Sequence, residues 1–310
     1  MADRTNSGAR HLNEQTALFE LQEQIAAATT EPDKETWQRL LNNAQGLHQA
    51  AIASGDEESA NLGWFLAEAT SCWGGYISVF KDLQHGLYYK AWCEMERIEI
   101  SLMNIKNNVS GDYDKLGLSF LNSQTQAFQV LFPYTVFFSP EIIVGYELCS
   151  ICRTRINPWR SCGHEIGRIY GGRLCCRLAH DIELVSISIV RKPVQKYSVG
   201  FSKDDDGNTI DQHDYATVKF VIDRLNSPLD QFSAEWIKAY HPHELFAHVS
   251  ERDACPCESG IAYGECCRER PGVIRPHLQV LFEKEPPADL PTVQLAGYDG
   301  YGRVGGKLQF

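Results

Sequence analysis

The chain has 310 residues, 43% of them hydrophobic and 22% charged, with a formal net charge of -11. That length and composition fit two or three globular domains and exclude a low-complexity or collagen-like chain. No apolar run reaches the ~18 residues that cross a bilayer, and residues 1–15 lack the apolar core of a secretory signal. A cytoplasmic protein with no membrane span is therefore expected.

The first 130 residues read as helices. Leu18, Leu21 and Ile25 recur at helical spacing, and Asp33 offers a cap ahead of Leu40, Leu41, Ala44 and Leu47. Ser54-Gly55-Asp56 ends that helix. A long segment over about 57–83 then carries Trp64, Phe65, Trp73, Ile77 and Phe80 on one face. His85-Gly86 breaks it, and 88–109 continues with Trp92, Met95, Ile98, Leu102 and Ile105. Ser110-Gly111-Asp112 restarts a helix bearing Leu116, Phe120, Phe128 and Leu131. A bundle of four or five helices is expected over 1–132.

From Pro133 the pattern turns to β. Residues 136–138 and 142–144 are short β-type runs, 182–190 alternates as a strand does, and Asp206-Gly207 is a hairpin turn between 197–201 and Thr209. This predicts a β-rich module at 133–213. Helices are expected to return at about 215–225 and 233–247, within a helical connector spanning 214–254. A knuckle at 255–270 follows, then 271–310 with a strand-like run at 277–283 and a mobile tail from residue 297. The predicted class is α+β: a helical bundle, a central β-rich zinc module, C-terminal helices and a second zinc knuckle.

Nine of the eleven cysteines crowd into two short stretches of a large chain, which favours metal ligands over disulfides. Cys72 and Cys93 stand alone in helical patterns and read as apolar core residues. In the first cluster, Cys149-Ser-Ile-Cys152 offers two thiolates across a tight bend, and Cys162-Gly-His164 supplies a second pair for a tetrahedral zinc. Cys175 or Cys176 could replace His164 as the fourth ligand. Residues 162–172 resemble a C-x-H-x2-G-x2-Y-x-G pattern that follows a C-x2-C knuckle in some bacterial and phage proteins. That resemblance implies a metal and a following β-rich stretch, with Arg153 standing where glycine is usual after the knuckle.

The second cluster is Cys255-Pro-Cys257-Glu-Ser-Gly-Ile-Ala-Tyr-Gly-Glu-Cys266-Cys267. It resembles the SEC-C motif, the small zinc module that ends the bacterial protein-translocase motor, and Pro256, Ser259, Gly260 and Tyr263 agree with that pattern. The resemblance implies zinc held by Cys255, Cys257, Cys266 and Cys267, and a docking role. So short a stretch cannot fold on buried apolar surface; metal would supply roughly 10–16 kcal/mol. In the motor, lysines around the turn contact acidic surfaces. Here Ile261-Ala262 and Gly264-Glu265 hold those positions and Glu258 replaces glycine, so Arg268 and Arg270 alone restore positive charge.

Charge is uneven. Residues 149–202 carry nine Lys/Arg against three Asp/Glu, inside an otherwise acidic chain. Arg153, Arg155, Arg160, Arg168, Arg173, Arg177 and Arg191, with Trp159 and Tyr170, could bind nucleic acid. Equally, they could offset a negative zinc centre and pair with the acidic helices. His243 and His248 are separated by five residues, not the four that bring two histidines onto one helical face as zinc-protease ligands. Residues 204–208 have a calcium-like composition and read as a hairpin tip. Glu165 beside His164 could serve as a base only at a zinc with an open position. The sequence therefore predicts a zinc-stabilised interaction protein with a protein partner. The alternatives are nucleic-acid binding through 149–202 and, less favoured, a zinc hydrolase or deaminase.

Overall fold

The computed structural model describes residues 2–30, 33–109, 111, 113–157, 159 and 162–285, with side chains from residue 14 onward. The expected tail from residue 297 lies outside the described residues, as do Ser110, Asp112 and Arg160. The chain divides into two compact units. No helix among the described residues is long and apolar enough to cross a membrane.

The first unit comprises residues 1–125, 136–200 and 227–229. Its helices are α1 (Ala2–Ala28), α2 (Lys34–Ser54), α3 (Glu57–Gln84), α4 (Tyr88–Asn108) and the start of α5 (Leu118–Val130). Their beginnings are local. Asp33 accepts the Thr36 amide at 2.7 Å, and Asp56 accepts the Ser59 amide at 3.3 Å, each satisfying a donor that the first turn leaves free. Gly55 ends α2 in the left-handed conformation. The core gathers on α3, where Trp73 stacks between Trp37 (5.1 Å) and Phe120 (5.7 Å), with Tyr76 edge-on. The Trp73 indole donates to the Leu116 carbonyl at 2.8 Å, so its one polar atom is satisfied in the core.

Across this bundle runs a two-stranded antiparallel ribbon of β1 (Phe137–Cys149) and β4 (Arg177–Val190). The runs at 136–138 and 142–144 are thus one strand. Pro140 is tolerated inside it because β1 has β4 as its single long partner and needs no second row of donors. A bulge leaves Val185 without an opposite residue. Both ends of the ribbon are fastened to helices. At one end Phe137 stacks on Trp92 at 6.5 Å, and the Phe138 amide donates to the Ser198 carbonyl. The strap at 196–197 is held by buried Glu96, which accepts both the Lys196 and Tyr197 amides, and by the Trp92 indole donating to the Lys196 carbonyl.

At the other end a small hairpin of β2 (Ile169–Tyr170) and β3 (Arg173–Leu174) docks on α2, α3 and α4. His48 Nε2 lies 2.8 Å from the Gly172 carbonyl oxygen, the Gly172 amide donates to Asn61 at 2.7 Å, and Asn108 bonds both Gly167 and Ile169. Gly172 has φ +72, and a Cβ there would sit 2.7 Å from the Ala60 carbonyl oxygen, so only glycine fits.

The second unit comprises residues 126–135, 201–226 and 230–310. It holds the end of α5, a hairpin of β5 (Ser202–Lys203) and β6 (Thr209–Ile210), α6 (Ala216–Ile222) and a ribbon of β7 (Phe232–His241) and β8 (Val273–Phe282). The hairpin tip at 204–208 closes on itself, Asp204 accepting the Asp206 and Asn208 amides. The helix expected at 233–247 is instead strand β7, followed by a single 3-10 turn at His243–Phe246. Phe232, Trp236 and Tyr240 at four-residue spacing imitate a helical face. Ten paired positions with β8 and the edge-on contact of Phe232 with Phe128 (4.8 Å) decide for the strand.

Candidate metal centres

The first centre forms where β1 ends. Cys149, the last residue of the strand, is buried, and its carbonyl accepts the Arg153 amide at 2.9 Å while its amide donates to the Thr154 carbonyl. That tight turn brings Cys152 back beside Cys149. The second loop is shaped by Gly163 (φ +86) and Gly167 (φ +84), and by the Tyr170 hydroxyl, which accepts the Glu165 amide at 2.9 Å. Tyr170 also meets the His164 ring edge-on at 4.7 Å. One ligand atom from each of Cys149, Cys152, Cys162 and His164 lies within 4.8 Å of the others. His164 Nδ1 is buried with no hydrogen-bond partner. A buried imidazole nitrogen left unpaired is costly, and a metal ion would satisfy it.

Of the two spare cysteines, Cys176 is exposed, whereas Cys175 is buried with its sulfur 3.7 Å from that of Cys149. Burial pushes the Cys175 thiol up to about 11, and neighbouring Cys149 adds to this. Cys149 moves the other way. Burial raises it, but the Cys152 and Ile151 amides and the Cys152 and Cys175 thiols outweigh burial and bring it to about 7. The exposed Glu165 carboxylate lies 3.7 Å from Arg168.

The second centre sits in the loop between β7 and β8. Cys255 and Cys267 are buried with Tyr263 and Val273, and Phe246 and Val249 pack against them. The Glu258 amide donates to the Cys255 carbonyl at 2.9 Å, and the Cys255 amide to Ile261 at 2.8 Å. Cys255, Cys257, Cys266 and Cys267 bring their sulfurs within 4.8 Å of one another. The Cys257–Cys266 and Cys266–Cys267 separations are 3.5 and 3.9 Å. These bracket the ~3.8 Å edge of a tetrahedron with Zn–S bonds of about 2.3 Å. Burial raises the Cys257 thiol, but Ser259 and the neighbouring Cys255 and Cys266 overcome it and bring it to about 6, whereas burial drives Cys255 up to about 12. Burial raises Cys267 as it does Cys255, and a bound metal ion would displace the protons that burial favours on these two thiols.

Residues 252–269 match a family model of the SEC-C motif. The second centre carries the SEC-C motif. No curated protein and no solved structure matches the chain.

Outside the ligands, the SEC-C knuckle is braced by His243, a residue that its spacing in the sequence did not single out for this. Nδ1 lies 2.6 Å from the Tyr263 hydroxyl, and Nε2 lies 2.8 Å from the Arg270 carbonyl oxygen, so both ring nitrogens are spent on the knuckle. His248 is exposed and takes no part. Arg275 donates to the Pro256 carbonyl and lies 3.3 Å from Glu258, tying the turn to β8. Both four-residue clusters could each hold a metal ion, in keeping with two zinc sites.

Proposed function

We propose that the chain is a zinc-stabilised interaction protein. In this reading Cys149, Cys152, Cys162 and His164 bind one zinc, and Cys255, Cys257, Cys266 and Cys267 bind a second. Each metal fixes a small recognition surface. The observation that carries this is the convergence of two sets of four ligand atoms, each within 4.8 Å. Four protein ligands complete a tetrahedron and leave no position for a reactive water, which is why the reading is structural and not catalytic. Clustered thiolates also require a reducing compartment, which supports a cytoplasmic location. Around the SEC-C turn, exposed Ile261 replaces the positive charge of the motor protein, so its partner would be a protein surface that is less acidic than the motor's.

One observation favours a second reading, nucleic-acid binding through 149–202. Trp159 is 93% exposed on a loop shared with exposed Arg153 and Arg155. Against it, Arg177 is paired with Glu147 and Arg168 lies beside Glu165. Native mass spectrometry on gently purified protein tests both. Two zincs, falling to one in each of Cys152→Ser and Cys257→Ser, are expected, whereas fewer than two in the wild type would overturn the reading. A co-purifying oligonucleotide lost steeply with added salt would favour the second reading.

A further inference from the structure

The β1–β4 ribbon is clamped at both ends, yet its middle presents an apolar face to solvent. Register and alternation place Phe138 with Ile189, Pro140 with Ile187, Ile142 with Leu184, and Val144 with Ile182 on one face. The opposite face holds the pairs Ser139 with Ser188, Glu141 with Ser186, and Ile143 with Glu183. The hydrogen bond from Ser186 Oγ to Glu141 confirms that assignment. On the apolar face Phe138 is 40% exposed, Ile142 46%, Ile182 57%, Leu184 58%, Ile187 60% and Ile189 71%. No charged residue interrupts these four pairs. Among the described residues the ribbon's outer edges carry only isolated bridges to Val199 and Arg155, and such a face on such a ribbon invites aggregation unless something covers it.

We propose that this face is the interface of a homodimer, in which two ribbons stack through Ile142, Ile182, Leu184, Ile187 and Ile189. Three features point to a second copy as the occupant. The exposed apolar area of the six side chains is on the order of 600 Å², at the upper limit for a monomer and close to the ~800 Å² that each partner of a stable dimer buries. The face is uniformly apolar over these four pairs. A twofold axis through its middle sets apolar side chains of one copy against those of the other, as an isologous contact requires. It also lacks charge within a chain of net charge -11, so copies meeting there avoid the like-charge repulsion of the surrounding surface. Stacked about 10 Å apart, the two ribbons would form a four-stranded sandwich. This inference does not depend on what either zinc knuckle recognises.

Sedimentation analysis of the full zinc-loaded chain over a concentration series tests it. The expected result is a dimer whose dissociation constant rises about 30-fold or more in Leu184→Glu and in Ile187→Glu. Ser188→Glu, on the opposite face, should leave the dimer intact, and matching circular dichroism and thermal melts should show that all the variants fold. A wild type that stays monomeric up to roughly 100 µM would overturn the proposal and assign the face to another occupant. A folded Ile187→Glu variant that dimerises as tightly as the wild type would overturn it too.

Discussion

Arg153 and Glu258 hold the same place in two unrelated knuckles. Each follows the second cysteine of its turn, and each donates its amide at 2.9 Å to the carbonyl of the first, Cys149 or Cys255. Each also adopts a left-handed backbone, with φ +59 at Arg153 and +64 at Glu258. A residue with a Cβ pays about 1–2 kcal/mol for that conformation, which is why glycine is common there in related motifs. Arg153→Gly is therefore expected to raise stability by about 0.5–1 kcal/mol, read as a higher urea midpoint of the zinc-loaded protein. Glu258→Gly should gain less, because it also gives up the contact with Arg275. A drop in the midpoint for Arg153→Gly would mean that the arginine side chain contributes more than its strained backbone costs. The departures from both patterns were readable in the sequence; the shared geometry that explains them was not.

Among the elements, the β2–β3 hairpin has an exacting fit. Its tip glycine, Gly172, would place a Cβ 2.7 Å from the Ala60 carbonyl oxygen and 2.9 Å from His48, whereas neighbouring Gly171 (φ +52) faces open space. Gly172→Ala should therefore cost about 2 kcal/mol or more by chemical denaturation, and Gly171→Ala about 1 kcal/mol, the backbone cost alone. Equal losses would show that the hairpin does not dock as tightly as its hydrogen bonds imply. The helices were legible because their signals are local: Asp33, Gly55 and Asp56 punctuate α2 and α3 within a few residues. Strand β7 was not, because its identity comes from β8, whose first residue Val273 lies thirty-two positions beyond His241 yet pairs with it. The ligand residues were legible for a similar reason, since metal spacing is a local pattern. His243 and Glu96 were not, because a histidine bracing a knuckle and a carboxylate holding a strap gain meaning only from partners far along the chain.

At the scale of the whole chain, acid should weaken the fold at an identifiable point. His241 is buried, and burial, with His277 and Arg275 nearby, holds its pKa below the usual histidine value. A folded pKa below the unfolded ~6.5 means that protonation favours the unfolded chain. The contribution of neutral His241 is complete above about pH 6.5 and is lost as the pH falls toward the depressed folded value. Urea midpoints measured from about pH 7 down to pH 5 should fall more steeply in the wild type than in His241→Phe, and parallel slopes would remove His241 as the cause. The same residue marks the doorway of the SEC-C loop. His241 and Val273 are directly paired, so residues 242–272 leave and rejoin the β7–β8 ribbon at neighbouring positions. A segment with that geometry is a cassette: it can be cut out or spliced in without altering the path of the chain on either side.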